Sequence, residues 1–503
     1  MIKIPKVKLW ATQDIALKYG RGCARSSVPE LYTPFYDEYS VTVNGEECPV
    51  RQCRVSAKSF NVWWPGHQRD ISQSELAGFI SFSGDEAVTL RVKRKSAYKK
   101  AVLRPVSKNI VPEICGDEVV FTITENGNYV LELDDEHNCL HIFYNKIKEY
   151  PDAKDATYYF GPGLHYPGII KLNSNESVYV DEEAIVFGGI NAIGAENIRI
   201  FGGGTIDNSV EERVIEHCYE NFTVGTFRIY DCKNVSVEDV IFMNSSTWII
   251  SMFYCNGVKI DGVKIVGHWR YNTDGIDIVN TSNVTIKNSF VRAFDDVITI
   301  KGIYNYDKTI ENIFVDNCVL WCGWGHSCEL GVETWAPEYK NIHFKNCDVI
   351  RIAGPALAIC NGMDCEIHDV SYENINVEMQ ADTMVQVLQT SEDQEYDPYG
   401  PGMRRFRLIY FANDQYTIGS EGVRSPKKIF CEKVGYTHDV LVKNVNLYTD
   451  DESILPIIDI YSLSEDRPIE NITLEDIYLN GEKIESFDKF NTVLKNHNNV
   501  VIK

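Results

Sequence analysis

HWRYNTDGIDIVN (residues 268–280), FDDVITIKG (294–302) and CGWGHSCELGVE (322–333) are three variations on one phrase. Each contains a short run of alternating residues: Ile276-Asp277-Ile278, Ile298-Thr299-Ile300 and Cys328-Glu329-Leu330. Just ahead of these runs stand Asp274, the pair Asp295-Asp296, and His326. Alternation of this kind is the period of a strand, with one set of side chains on each face. Outward from this stretch the phrase recurs, beginning at Gly257-Val258, Asn283-Val284, Asn312-Ile313, Asn341-Ile342 and Glu366-Ile367. Successive starts lie about 25–29 residues apart, the range of a solenoid repeat. The units are strands without the i, i+3, i+4 spacing of helices, so the expected fold is a right-handed parallel β-helix, one coil per repeat.

The repeat supplies a register. Asn288, Asn317 and Asn346 recur at equal spacing and are expected to stack as an amide ladder inside one corner. Ser289, Cys318 and Cys347 follow in the next column, which reads them as small packed residues rather than nucleophiles or ligands. On the sheet that carries the acids, Leu357-Ala358-Ile359 aligns beyond Cys328-Glu329-Leu330. Its apolar members point inward, so Asp277, Thr299, Glu329 and Ala358 point out. Asp274, Asp296 and His326 then head successive strands about 4.8 Å apart, with Asp295 beside Asp296.

Like charges this close cost stability unless function or a cation requires them. Two chemistries fit. In one, a carboxylic acid protonates a glycosidic oxygen while a second carboxylate activates water, with no metal or other cofactor. In the other, the Asp cluster binds Ca²⁺ and Lys301 or Arg292 abstracts a proton in a lyase reaction. A transferase on the same scaffold, or a binding protein without turnover, is also open. Arg270, Asn272, Lys301, Trp324, Glu329 and Glu333 are the candidate sugar-binding residues around the acids.

NTDGID (272–277), DDVITIKG (295–302) and Gly325-His326 resemble the signature of polygalacturonases and their relatives, the family 28 glycoside hydrolases. GGGTIDN (202–208) and the run from Cys232 to Trp248 are similar to that family's earlier coils, so the resemblance covers about residues 158–380. The fold it implies is pectin-lyase-like. An N-terminal β-domain followed by YYFGPGLH (158–165) resembles the layout of dextranase-type enzymes of family 49. Both resemblances imply inversion. They imply Asp295 as general acid, Asp274 and Asp296 as the residues that hold and deprotonate water, and His326 as the group tuning the acid. One departure stands out. Polygalacturonases carry Arg-Ile-Lys on the next coil to hold the uronate carboxylate, and Ala358-Ile359-Cys360 stands there in this chain. A neutral α-linked sugar is therefore expected, and a cytoplasmic address, which favours a short imported substrate, points to attack from a chain end. The alternative is a polygalacturonase whose carboxylate site has moved, with Arg270, Lys301, Arg351, Arg404 or Arg405 as the cation.

The rest of the chain frames this site. Residues 1–148 contain alternating runs such as Val88-Thr89-Leu90-Arg91-Val92, separated by Asn44-Gly45 and Asn126-Gly127, and are read as an antiparallel β-sandwich. Trp63-Trp64-Pro65-Gly66-His67 is an apolar turn, read as packing on the second domain. Residues 149–503 are read as the β-helix, interrupted by a Pro-, Arg- and Tyr-rich excursion over 390–438 and closed by FDKFNTVLKNHNNVVIK as a terminal cap. A net charge of −23 argues against nucleic acid as partner. No apolar run spans a membrane. Fifteen cysteines and an N-terminus lacking an apolar leader suggest a cytoplasmic address. The expected partner is a carbohydrate, and homo-oligomerisation is left open.

Overall fold

The computed structural model describes residues 1–6, 34–57, 71–211, 225–303, 306–383, 407–415, 417–418, 428–429, 431 and 433–503. Strands dominate, and the helical pieces among these residues are short 3-10 turns such as Ile71–Gln73. No helix among them is long and apolar enough to cross a membrane. Two sheets form the N-terminal domain, and their facing side chains (Val41, Leu90, Phe121, Ile80, Leu131, Leu140) make one core. The sandwich is antiparallel except where Leu140–Asn145 runs parallel to Ser74–Gly84. Trp63 to His67 lie outside the described residues.

From Tyr158–Phe160 onward the chain winds as a right-handed parallel β-helix with three strands to a coil. One face, called here the site face, stacks Ile250–Phe253, Ile276–Val279, Ile298–Gly302, Cys328–Thr334 and Leu357–Asn361. A second stacks Asn256–Asp261, Ser282–Lys287, Ile310–Asp316 and Glu338–Lys345. A third stacks Lys264–Ile265, Phe290–Ala293, Val319–Cys322 and Asp348–Arg351. The inward positions are Val, Ile, Leu and Cys almost throughout, so identical shapes stack coil on coil into one continuous core.

Corners are set by asparagine. Asn283, Asn312 and Asn341, and again Asn288, Asn317 and Asn346, adopt positive φ of about 50–60°, which asparagine tolerates better than other side-chain-bearing residues. The expected ladder exists, with Asn317 Nδ2 donating to Asn288 Oδ1 at 2.7 Å, but it lies on the outside of the corner. Left-handed backbone turns the side chain to solvent, and the buried column is the neighbouring one of Ser289, Cys318 and Cys347. Asn346 donates to Asp316 rather than Asn317. No disulfide occurs among the described residues.

Two readings of the C-terminal third need correcting. The repeat does not pause until 439. Arg407–Asn413 is a full rung of the site face, pairing with Leu357–Asn361 on one side and Ile457–Ser462 on the other. Its flanking residues 384–406, and most of 419–432, lie outside the described residues. The C-terminal end is the last coil rather than a separate cap, since Asn491–Lys495 and His497–Ile502 continue two of the faces.

The sandwich covers the third face. Val55, Phe79, Val130 and Phe143 pack on Val266, Phe290, Val319, Trp321 and Ile350. A buried ion network crosses the same junction. Arg351 forks onto Glu132 at 3.0 and 2.8 Å and reaches Asp382 at 2.8 Å, while Arg104 bridges Glu132 at 2.7 Å and Glu378. Arg292 lies 3.6 Å above the Trp321 ring and donates to His141 at 3.1 Å.

Candidate active site

Each coil passes from the third face to the site face through a tight turn, and the singled-out acids occupy these turns. The observed register is the expected one: Ile276↔Ile298↔Cys328↔Leu357, with Asp277, Thr299, Glu329 and Ala358 in one outward column. Asp274, Asp296 and His326 therefore stand two residues ahead on consecutive rungs, with Asp295 next to Asp296.

A lysine binds the group together. Lys301 Nζ lies 2.9 Å from Asp274, 3.0 Å from Asp277 and 3.5 Å from Asp296, and 4.4 Å from the centroid of the Trp248 ring. The ammonium is 6% exposed, so its attraction to the carboxylates is little screened. Three carboxyl groups share one cation, and the proton affinities divide: burial, against the pull of Lys301, raises Asp277 well above the usual carboxylate range. Burial raises Asp274 to about 6, against the pull of Lys301. Burial and the charges of Asp274 and Asp296 raise Asp295 well above the usual carboxylate range. Asp296 is half-buried, and against the desolvation this brings, its hydrogen bond with His326 and the charge of Lys301 hold it below that range. Two adjacent carboxyls thus prefer opposite protonation states, the arrangement that separates an acid from a base.

Gly325 makes this closeness feasible. A Cβ there would stand 2.3 Å from Asp296 Oδ1, 2.6 Å from Asp296 N and 2.7 Å from Asp295 Oδ1. The next residue donates its backbone N–H to Asp296 Oδ1 at 3.0 Å, and its ring Nδ1 stands 3.4 Å from the same oxygen.

The remaining expected residues divide. Glu333 sits at the bulge opposite Lys301, half-buried, where its charge raises Asp274. Trp324 stacks on Phe294 at 6.2 Å beside the acids. Asn272 takes a positive φ in the turn before Asp274, and its carbonyl accepts from Thr247 at 3.4 Å. Arg270 donates to the carbonyls of Glu211 and Ser245. Glu329 was expected to meet sugar hydroxyls, but it is fully buried, with Oε1 2.6 Å from His326 Nδ1. Arg351 was a candidate cation for the substrate and is instead consumed in the domain junction. Arg404 and Arg405 lie outside the described residues. Two residues were missed: Asp277, which alternation made a solvent-facing side chain, and Trp248, whose only signal was its place at the end of an earlier coil.

One trio brings a nitrogen, an oxygen and a sulfur donor within 4.8 Å of one another: His326, Glu329 and Cys360. The set suits zinc in type. Its His–Glu contact of 2.6 Å is a hydrogen-bonding distance, shorter than the roughly 3.3 Å edge that ligands at about 2.0 Å from a tetrahedral zinc would span.

The family model described as Glycosyl hydrolases family 28 matches residues 163–459, more than half of the chain. A probable polygalacturonase of Arabidopsis thaliana is 23% identical over 268 residues, 50% of this chain and 57% of that protein. A probable exopolygalacturonase B of Aspergillus fumigatus is 26% identical over 207 residues, covering 37% and 44%. An exopolygalacturonase of Oenothera organensis is 27% identical over 200 residues, covering 37% and 51%. The chain spans about half the length of these curated relatives. Among solved structures, Dex49A from Penicillium minioluteum superposes with a TM-score of 0.59 at 14% identity over 92% of this chain and 94% of that one, a likeness of fold that includes the N-terminal domain.

Proposed function

The chain belongs to the glycosyl hydrolases of family 28, and from that premise we propose that it hydrolyses an α-linked glycoside or oligosaccharide with inversion of the anomeric centre. The observation that carries this reading is the crowding of Asp274, Asp295 and Asp296 at neighbouring turns, with Lys301 Nζ 2.9 Å from Asp274 and 3.5 Å from Asp296, surroundings that favour a proton on Asp295 and disfavour one on Asp296. Asp295 gives its proton to the glycosidic oxygen as the bond to the anomeric carbon breaks. Asp274 and Asp296 orient a water on the opposite side of the sugar and remove its proton. Lys301 keeps both of these carboxylates ionised near neutrality.

The substrate we propose is a neutral sugar cut from a chain end. Ala358 and Cys360 are the residues that follow Glu329 and Gly331 on the next rung, and neither carries a charge for a uronate. Among the described residues, the cations beside that rung are already engaged: Lys301 by Asp274, Asp277 and Asp296, Arg407 by Asp459 at 2.8 Å, and a protonated His326 by Glu329 at 2.6 Å. A uronate would have to compete with these partners. The test is a product screen over neutral and uronic α-linked oligosaccharides, with the first-formed anomer followed by NMR. Release of single neutral residues of inverted configuration is expected. A retained anomer, or an unsaturated product absorbing in the ultraviolet, overturns the mechanism, and faster turnover of uronides overturns the substrate.

Gly325→Ala is expected to lower kcat about 10²-fold, because the added methyl must push the Asp295–Asp296 turn aside and misplace the acid. Unchanged kcat in a folded variant would show that the turn tolerates the shift.

A further inference from the structure

We propose that Glu329 is a positioning residue that fixes the ring of His326 against the Asp295–Asp296 turn, the two acting as one proton-holding unit. Nothing in the fold asks for an acid at this position. The same outward column holds Ser251, Asp277, Thr299, Glu329 and Ala358 on successive rungs, all buried, so neutral residues fill it as well. Yet Glu329 is 0% exposed, and neither of its oxygens accepts a well-formed hydrogen bond from the described residues. It pairs with His326 Nδ1 at 2.6 Å, three residues back across the turn, and also meets the Asp296 carboxyl and the Cys360 thiol. Burial and the charge of Asp296 raise Glu329 to about 7, against the pull of His326, so this carboxylate persists as an anion only while the imidazole is charged.

The arrangement orients as well as charges the ring. Nδ1 lies between Glu329 at 2.6 Å and Asp296 at 3.4 Å, and the His326 backbone N–H is tied to Asp296 at 3.0 Å. Nε2 has no hydrogen-bond partner among the described residues, which leaves it for a bound sugar or water. The charged and titratable groups packed around the pair include Asp295 and Asp296 from the preceding turn, Lys301 from the preceding rung, Cys360 from the following one, and Tyr372. Burial opposes the charge on His326, and Glu329 first and Asp296 second outweigh it. The consequence passes along the turn. A cationic ring keeps Asp296 ionised, and an ionised Asp296 keeps the proton on Asp295.

Glu329→Gln keeps the shape and removes the charge. Without its counter-ion His326 loses its proton in the neutral range, its charge no longer favours ionisation of Asp295, and the alkaline limb of kcat/KM moves to higher pH by about 1 unit. KM at the optimum is expected to change less than twofold. This kinetic arm rests on the glycosidase reading. A second arm does not: the His326 ring followed by NMR in the unsubstituted protein is expected to remain protonated well above the ordinary imidazole range and to fall back in Glu329→Gln. A ring titrating near 6.5 in the unsubstituted protein overturns the proposal, even if the variant fails to fold or no substrate is found. A variant whose KM rises while the pH profile stays in place also overturns it, since that is the signature of a sugar ligand. If the ring titrates as expected but no glycoside is turned over, the glycosidase reading falls and the Glu329–His326 unit stands.

Discussion

Asp295→Asn is expected to lower kcat by about 10²–10⁴-fold while leaving substrate affinity nearly intact, because the amide keeps the shape of the turn and cannot deliver a proton. The substrate dependence of the loss identifies the role. An aryl glycoside with a strongly acidic phenol as leaving group departs without protonation, so Asp295→Asn should cost far less on it than on a natural linkage. Asp274→Asn and Asp296→Asn should cost as much on both, because water must be activated in either case. The pH profile has a definite sign. Asp274, raised by burial to about 6, must be ionised to act as base, so activity declines as pH falls through that value. Asp295 must be protonated, so activity declines again at high pH, where its proton is lost despite the neighbouring charges of Asp274 and Asp296. In Asp295→Asn the high-pH decline disappears and the low-pH one remains. Equal loss on all leaving groups, or an unaltered high-pH limb, would assign the acid elsewhere.

Arg351→Met is expected to cost about 3–5 kcal/mol of stability, since it takes one of two cations from buried Glu132 and the cation beside Glu136 at the junction of the two domains. Glu132 has lost its contact with water, and it is held ionised, despite burial, by Arg351 and Arg104. Glu136, at 3.4 Å from Arg351, loses the same partner. Arg351→Lys restores a charge but not the fork onto both Glu132 oxygens, so part of the loss should remain. Urea denaturation read by tryptophan fluorescence measures the change, Trp321 lying directly under Arg292 at the same junction. The double variant Arg351→Met with Glu132→Leu should recover much of the loss, because removing both members of a buried pair spares the desolvation of the survivor. A single substitution costing under about 1 kcal/mol would mean that water reaches the network and screens it.

The legible part of the site follows from two periods. Alternation by two tells which side chains leave the core, and a repeat of about 25–29 residues tells which of them share a column. Together they placed Asp274, Asp296 and His326 on consecutive rungs and Ala358 and Cys360 beyond Glu329. The same arithmetic could not say what lies against an outward side chain. It made Asp277 an outward side chain and Glu329 an acid in or beside a cleft, whereas the turns and neighbouring rungs close over them and turn one into a partner of Lys301 and the other into a partner of His326. Arg407–Asn413 was hidden by its Pro-, Gly- and Arg-rich surroundings, although its own Leu408, Ile409 and Phe411 are core residues of an ordinary rung.

The sequence by itself determined the β-helix, its register, the acids at the turns and the neutral rung beyond them, because each is a property of spacing along the chain. Tertiary structure alone decided which charges meet. Lys301 gathers three carboxylates, Glu329 is buried against His326, and Arg351 belongs to the domain junction instead of the substrate cleft. The reason is physical: strand spacing fixes order and facing, but whether a charge is solvated or paired depends on what packs over it, and that arrives from residues tens to hundreds of positions away.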